Sequence, residues 1–457
     1  MIKKKSISKI ILATFGVIPI SGSDSFSQIS SPPQPTSGPG GSNYIHQSVT
    51  KNKYGSGGTA YWLYEPANPK PDSANVIIFN HGWGALNPAC YGKWIEHLVR
   101  KGNLIIFPKW QYDLNTFPQY FTPNATTAVK DAVNELAGNN HVKPRYYNTA
   151  YIGYSFGGVI SANLAILADS AGIPAPKALL VCNGGNGGTQ GSLLPTYSDM
   201  PDIKLLIISG ENDVVVADTF GRMLFDSTMM VNPLFKNHIT QYYDGHGSPV
   251  IEATHNEPIS WDSAYWSSDF FDNNWVVNAS YGVSKSDAVD FFCYWKFADA
   301  IADCAFYGTN CQYVFCKTPE EKFMGNWSDN IPVKELFVEA KTTCVSSVEI
   351  EDGRWKMEDG GWKVYPNPSD GEFNLKISGF ENLNPSNYRE ENIKLKIYNV
   401  LGEVVYQKAL SPSPLTPLSM WRGEGGAGID VSTQPQGIYF LVLNDGEKTF
   451  SQKLLIE

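Results

Sequence analysis

The chain has 457 residues, enough for two or three domains, and its apolar fraction of 42% is sufficient for a sizeable hydrophobic core. A formal net charge of −10 argues against nucleic acid or an anionic membrane surface as the main partner. The 12 Trp, 24 Tyr and 23 Phe are interpreted mainly as packing residues, although clefts that bind carbohydrates or polymers also use surplus aromatic side chains.

Residues 1–28 have the pattern of an export signal peptide. Lys3, Lys4, Lys5 and Lys9 form a positive region, the apolar stretch Ile10–Ile20 follows, and small polar residues come next. The apolar stretch is too short to be a stable membrane-spanning helix, and no later segment is apolar for long enough. The sequence therefore predicts a secreted or cell-surface protein, exported across the inner and outer membranes, without a transmembrane anchor.

A Pro-, Gly- and Ser-rich linker is expected over residues 29–43, and strands and helices then alternate over residues 44–345. Short apolar runs predict buried strands at Val76–Phe79, Leu104–Pro108, Ala150–Gly153, Leu179–Cys182, Leu205–Ser209 and Ile239–Tyr243. Amphipathic runs predict helices at Tyr91–Arg100, Thr126–Ala137, Val159–Ala171 and Ser286–Ala302. This alternation predicts an α/β fold, a doubly wound and mostly parallel sheet with helices on both faces.

The run Gly153-Tyr-Ser155-Phe-Gly157 fits the pattern G-x-S-x-G between a predicted strand and a predicted helix. This is the setting of a nucleophile elbow, in which a sharp turn exposes the serine hydroxyl above the sheet. The flanking glycines are needed because a side chain would collide with nearby backbone in so tight a turn. Ser155 is therefore the candidate nucleophile.

Acyl transfer also needs an orienting carboxylate and a base. Asp213 is the best-placed carboxylate because it follows the strand Leu205–Ser209, and Glu211 and Asp218 are alternatives. Two histidines follow the last predicted strand, in Asp244-Gly-His246-Gly and in Ala253-Thr-His255-Asn-Glu-Pro. Either loop could bring an imidazole to the serine.

The order of these residues, with Phe79-Asn-His-Gly-Trp-Gly84 after a predicted strand, resembles the α/β-hydrolase superfamily over residues 59–301. The dienelactone-hydrolase-like, lipase-like and cutinase-like esterases are the most similar in character. The resemblance implies an oxyanion hole formed by the backbone N–H groups of Trp83 and Phe156. It also implies a structural role for His81.

The same resemblance favours His255 as the base. A small residue before the histidine and a proline three residues after it are similar to the histidine loop of polyester-hydrolase-like and lipase-like relatives. His246 would then shape the cleft, contact the substrate or serve as the alternative base. The aromatic insert over residues 261–283 departs from compact cutinases and is expected either to form a cleft wall or lid or to pack over the sheet edge.

Seven cysteines fit an exported protein, in which clustered cysteines predict disulfides rather than metal ligands. Cys304–Cys311 is the pair we expect first, because only a short loop containing Gly308 separates the two residues. The connectivity of the remaining cysteines cannot be derived from their spacing. No motif predicts a metal or a cofactor.

The chain changes character after residue 345. Residues 346–361 are expected to form a linker, and period-2 alternation beyond them predicts a small antiparallel β-sandwich over residues 362–457. Val364-Tyr-Pro-Asn-Pro, Ile397-Tyr-Asn-Val-Leu-Gly and Gly437-Ile-Tyr-Phe, in this order, resemble the C-terminal sorting domain of the type IX secretion system. The resemblance implies that this domain engages the type IX secretion machinery. A sugar-binding β-sandwich module is the alternative.

Together these features predict an exported serine hydrolase that cleaves carboxylic esters through an acyl-enzyme. Its substrate would be an ester-containing small molecule, lipid or polymer. Ser155, Asp213 and His255 would carry the reaction without a cofactor or metal. The alternatives are a peptidase or acyltransferase with the same triad, or a non-catalytic surface binding protein on a hydrolase scaffold.

Overall fold

The computed structural model describes residues 28–186, 191–339, 361–365, 369–378, 393–399, 402–410, 427–444 and 449–456. Nearly all of the predicted signal peptide and of the second predicted linker lies outside these residues, as does Cys344. The described part of the chain forms a large α/β region followed by a small β region.

Nine strands of the described chain form one mixed sheet in the α/β region. In chain order they are β1 (Ser48–Tyr54), β2 (Tyr61–Ala67), β3 (Ser73–Asn80), β4 (Asn103–Pro108), β5 (Lys143–Tyr154), β6 (Ala178–Cys182), β7 (Lys204–Gly210), β8 (Lys236–Gln241) and β9 (Phe337–Val338). Their spatial order is β1-β2-β4-β3-β5-β6-β7-β8-β9. The run from β4 to β8 is parallel, and antiparallel pairs occur only toward the two edges.

The helices of the α/β region connect and cover these strands. They are α1 (Gly92–Arg100), α2 (Phe121–Glu135), α3 (Phe156–Ala171), α4 (Thr219–Ser227), α5 (Trp275–Val283), α6 (Trp295–Tyr307) and the short α7 (Pro319–Lys322). A π-helical turn at Asp290–Tyr294 leads directly into α6. Short 3₁₀ turns occur at Gly57–Thr59, Pro88–Tyr91, Pro118–Tyr120, Pro233–Phe235, Ser263–Tyr265, Phe270–Asp272 and Cys311–Tyr313.

The sheet separates two hydrophobic cores because successive side chains of a strand point to opposite faces. On β3, Ile77 and Phe79 belong to the core that includes side chains of α1 and α6. Val76 and Ile78 belong to the core that includes side chains of α2 and α3. Strands buried on both faces therefore appear in the sequence as continuous apolar runs, as predicted.

The predicted strands and helices are present, with shifts at their ends. Helix α2 begins at Phe121, before the predicted start, because Pro123 lies in its first turn, where the missing N–H would have no helical partner. Strand β8 ends at Gln241 rather than at Tyr243. The antiparallel strands β1 and β2 were not predicted, and the polar sequence of β1, SVTKNKY, gives little apolar signal.

The residues predicted as the first linker are held against the α/β region. Gly40 N–H donates to Asp299 Oδ2 at 2.9 Å, and Ser30 N–H donates to Ser328 Oγ at 2.9 Å. Pro32 is buried. This proline-rich segment therefore packs as part of the domain surface.

The cysteines of the described chain are partly paired. The predicted disulfide Cys304–Cys311 is confirmed, and Cys316 is also disulfide-bonded. Cys90, Cys182 and Cys293 are free thiols buried in the interior. Burial raises the pKa of the Cys90 and Cys293 thiols to about 12, so both are protonated at neutral pH.

The C-terminal region contains two antiparallel sheets. Its strands are β10 (Gly361–Tyr365), β11 (Glu372–Ser378), β12 (Ile393–Asn399), β13 (Val404–Leu410), β14 (Ala427–Asp430), β15 (Gly437–Asn444) and β16 (Thr449–Ile456). They form the sheets β10-β11-β14 and β13-β12-β15-β16. Phe373 and Ile429 of the first sheet share a core with Ile397, Leu441 and Leu454 of the second. The small antiparallel β domain is as predicted.

Candidate active site

Ser155 lies at the turn between β5 and α3, with a left-handed φ of 55° and a ψ of −125°. The turn leaves no room for side chains on either side of it. A Cβ at Gly153 would lie 2.2 Å from the carbonyl oxygen of Gly157, and one at Gly157 would lie 2.1 Å from that of Asn80. Both glycines are therefore required by close backbone approach, and the serine occupies the sharp strand-to-helix turn.

Ser155, His255 and Asp213 form one chain of hydrogen bonds. A carboxylate only accepts, so His255 donates its Nδ1–H to Asp213 Oδ2, at 2.7 Å. This leaves Nε2 as an acceptor, and Ser155 Oγ–H donates to it at 2.9 Å. The residues are 8%, 7% and 5% exposed, respectively. The hydroxyl is thus held against an unprotonated imidazole nitrogen close to the surface.

The topology explains why these side chains meet. Asp213 follows β7 and His255 follows β8, and the carboxyl ends of parallel strands lie at one edge of the sheet. The two loops are bonded to each other, since Asn212 N–H donates to Ala253 O at 3.0 Å. Asp213 Oδ1 also accepts the N–H groups of Val215 and Val216, which fixes the carboxylate that faces the imidazole.

Two backbone N–H groups near Ser155 are open to a ligand. The loop after β3 uses the N–H of Gly82 to donate to Tyr91 Oη and that of Gly84 to donate to Gln111 Oε1. Within the described chain, the intervening N–H of Trp83 has no acceptor, and neither has the N–H of Phe156 at the start of α3. These are the two donors that the sequence predicted for an oxyanion.

His81 lies in the same loop but has a structural environment. Its ring is fully buried, stacks on Trp110 with a centroid separation of 4.2 Å, and contacts the carbonyl oxygens of Gly82 and Lys109. Burial lowers the pKa of His81 to about 4, outweighing the two carbonyl oxygens, which raise it. The buried ring, which lies against Trp110 and these two carbonyl oxygens, braces the loop.

The alternative site residues lie elsewhere. His246 is exposed, with Nε2 2.7 Å from Asp329 Oδ2. Glu211 accepts the N–H of Tyr243, and Asp218 is the exposed residue before α4. The structure thus brings His255 and Asp213 to Ser155.

The aromatic insert of residues 261–283 packs against the loop that carries Trp83. Asn274, the N-cap of α5, donates its side-chain amide to Gly84 O at 2.8 Å. Asp272, which is fully buried, forms ion pairs with the buried Lys109 and, at 2.8 Å, with Lys53. The insert is therefore fixed beside the candidate oxyanion donors.

Sequence reasoning did not identify Asn183, a buried residue that follows β6. Its side-chain amide donates to the carbonyl oxygens of Thr254 and His255. The only sequence signal was its position: a polar residue directly after a buried strand, at the sheet edge where Asp213 and His255 also lie. Across the described ranges, no group of three or more His, Cys, Asp or Glu side chains is placed to hold a metal ion.

The comparisons assign the C-terminal part of the chain. Residues 363–457 match the family model described as the secretion system C-terminal sorting domain. The match begins one residue after residue 362, where the sequence predicted that this domain starts. The predicted type IX sorting domain is confirmed, and the protein is exported to a secreted or cell-surface location. Among curated proteins, none matches the chain. No helix in the described residues is long and apolar enough to cross a membrane.

Proposed function

We propose that the α/β region is a serine hydrolase of the α/β-hydrolase type that cleaves carboxylic esters through an acyl-enzyme. The observation that carries this proposal is the hydrogen-bonded chain from Ser155 through His255 to Asp213, placed beside the open N–H groups of Trp83 and Phe156. Nucleophile, base, orienting acid and oxyanion donors are the parts that acyl transfer needs.

In the acylation step, His255 Nε2 accepts the Ser155 hydroxyl proton as Oγ attacks the ester carbonyl carbon. The carbonyl oxygen becomes an oxyanion and accepts the N–H groups of Trp83 and Phe156, which are already in place and need no reorganisation. Asp213 stabilises the imidazolium through the Nδ1–H bond. The imidazolium then gives its proton to the leaving alkoxide, which departs as an alcohol.

In the deacylation step, His255 takes a proton from water, and the resulting hydroxide attacks the acyl carbon. The second tetrahedral intermediate uses the same two N–H donors. Its collapse breaks the bond to Ser155 Oγ, which recovers a proton from the imidazolium, and the carboxylic acid is released. Because the protein is exported, its substrate is an ester-containing small molecule, lipid or polymer met outside the cytoplasm.

The choice of esters rests on the resemblance to esterases, since peptidases and acyltransferases use the same triad. A fluorophosphonate probe tests the shared chemistry, because it phosphonylates an activated serine. Wild-type protein and Ser170→Ala, a control on the exposed face of α3, should react, and Ser155→Ala should not. Equal labelling of Ser155→Ala would refute the proposal.

Turnover of p-nitrophenyl esters of rising chain length, a peptide and a polymeric ester then identifies the substrate class.

A further inference from the structure

Asn183 lies outside the chain of groups that would transfer protons, yet it bonds to the loop that carries the proposed base. It is fully buried directly after β6, with a left-handed φ of 44°. Asparagine adopts this conformation more readily than most other non-glycine residues. Its backbone N–H donates to Ile208 O of β7 at 2.8 Å, which anchors the residue to the sheet.

The side chain of Asn183 joins two further elements. Its amide nitrogen donates to Thr254 O and to His255 O, each at 3.1 Å. Its amide oxygen accepts the hydroxyl of Tyr294, which is fully buried in the π-helical turn before α6, at 3.2 Å. The tyrosine hydroxyl needs an acceptor, so this bond fixes which end of the amide faces the histidine loop.

The neighbours of Asn183 hold the backbone of Ser155. Ser155 N–H donates to Cys182 O at 3.0 Å, and Gly185 N–H donates to Ser155 O at 3.1 Å. The segment Cys182–Gly185 therefore bonds the serine through its backbone and the histidine loop through the Asn183 side chain. One short piece of chain is hydrogen-bonded to both residues of the Ser155–His255 pair.

We propose that Asn183 is a positioning residue, which sets the distance and orientation of the His255 imidazole relative to Ser155 Oγ. The inference rests on the proposed serine hydrolase function. Asp213 restrains the imidazole at its Nδ1 end, whereas Asn183 restrains the backbone from which the ring extends. Displacement of catalytic groups by about 1 Å can lower turnover on the order of 10²-fold.

The test compares substitutions at position 183 in the full-length protein. Asn183→Gly removes the amide and tolerates the positive φ, and it should lower kcat for a p-nitrophenyl ester on the order of 10²-fold with little change in KM. The fluorophosphonate labelling rate should fall by a similar factor while labelling still reaches completion. Asn183→Asp keeps the size but sets an oxygen against two carbonyl oxygens, and it should lose more activity than Asn183→Gly.

Asn163 provides a matched control on α3. Its buried amide donates to Thr122 Oγ1 at 2.9 Å and Ser192 O at 2.8 Å, and accepts the hydroxyl of Tyr197 at 2.8 Å. Asn163→Ala should lower the melting temperature but leave kcat within about twofold. A wild-type kcat in folded Asn183→Gly, or an equal loss of kcat in Asn163→Ala, would overturn the positioning role.

Tyr294→Phe keeps the test decisive if Asn183→Gly does not fold. It leaves both donor bonds of Asn183 but removes the hydroxyl that orients the amide. We expect kcat to fall several-fold at constant KM, and an unchanged kcat in both Tyr294→Phe and Asn183→Asp would then overturn the inference. Failure of the wild-type protein to label would instead refute the serine hydrolase itself, so the two failures are distinguishable.

Discussion

Ser155 has a backbone conformation that a residue with a side chain rarely adopts. Positions of this kind cost on the order of 1–3 kcal/mol and persist where the surroundings fix them. Here the peptide groups of Ser155 bond to Cys182, Gly185 and Gly158. Cys182 is the last residue of the neighbouring strand β6, and Gly185 lies in the segment after it. These backbone bonds to β6 and the segment after it fix the position of Ser155. The side-chain Oγ takes no part in them and bonds to His255 instead.

The choice between the two candidate histidines yields a prediction at this scale. His255→Ala removes the nitrogen that accepts the serine proton and should lower kcat on the order of 10⁴-fold or more. His246→Ala should leave kcat within about twofold, because its ring contacts Asp329 and not Ser155. Steady-state turnover of a p-nitrophenyl ester measures both. If folded His246→Ala lost activity and His255→Ala kept it, His246 would be the base instead of His255.

The same choice shows the limit of sequence reasoning at single residues. Strand order placed Ser155, Asp213 and both histidines at one edge of the sheet, since parallel strands end together. It could not decide between His246 and His255, because loop conformation depends on tertiary contacts such as the Asn212–Ala253 bond. Asn183 was missed because its partners in the histidine loop are backbone carbonyls, which leave no pattern in the sequence.

At the scale of elements, the insert of residues 261–283 borders the loop that carries Trp83. Exposed rings occur on this loop, on the segment after β4 and on the insert: Trp83, Tyr112, Phe271 and Trp275. The rings of Tyr112 and Phe271 contact each other with a centroid separation of 4.4 Å and an interplanar angle of 35°. We expect these rings to form the wall that contacts the acyl or alcohol part of the substrate.

Asn274→Ala tests the coupling of the insert to the loop. The substitution removes the bond to Gly84 O and the N-cap of α5, at a cost of about 1 kcal/mol of stability. Because it loosens the loop that carries the Trp83 N–H, kcat for an ester should fall about tenfold. Asn278→Ala, at an exposed position of the same helix, is the matched control and should keep kcat. Equal kcat values for Asn274→Ala and Asn278→Ala would show that the insert does not influence the loop that carries the Trp83 N–H.

The elements differ in how well their sequences predict them. Buried parallel strands are continuous apolar runs, so β3 to β7 were located to within a few residues, except for the polar first half of β5. β1 and β2 are stabilised by their pairing with each other and with β4, and pairing depends on tertiary context that periodicity does not contain.

At the scale of the whole molecule, the protein combines an α/β region with a C-terminal sorting domain, and its export explains why disulfides are present. The disulfide Cys304–Cys311 closes the end of α6, where Asn310 donates its side-chain amide to Asp303 Oδ2 at 2.8 Å. Burial raises the pKa of the Asp303 carboxyl to about 6, more than its bond to Asn310 lowers it.

This shift predicts a pH dependence of stability. Between the ordinary aspartate pKa of about 4 and the folded value of about 6, the folded state binds more protons at Asp303 than the unfolded state. The free energy of unfolding of the wild type, relative to Asp303→Asn, should therefore decrease on the order of 2 kcal/mol as pH rises through this window, and level off above it. Urea unfolding of both proteins from pH 4 to 7.5 measures the difference. A difference independent of pH would contradict the prediction.

The most direct test of the central claim is the identification of the residue that a fluorophosphonate probe modifies. Intact-protein mass spectrometry should show one phosphonyl group per wild-type chain, and peptide mapping should locate it on Ser155. Prior acylation by a slowly hydrolysed ester should protect that serine from the probe. A correctly folded protein that takes up no probe, or takes it up at another residue, would contradict the account.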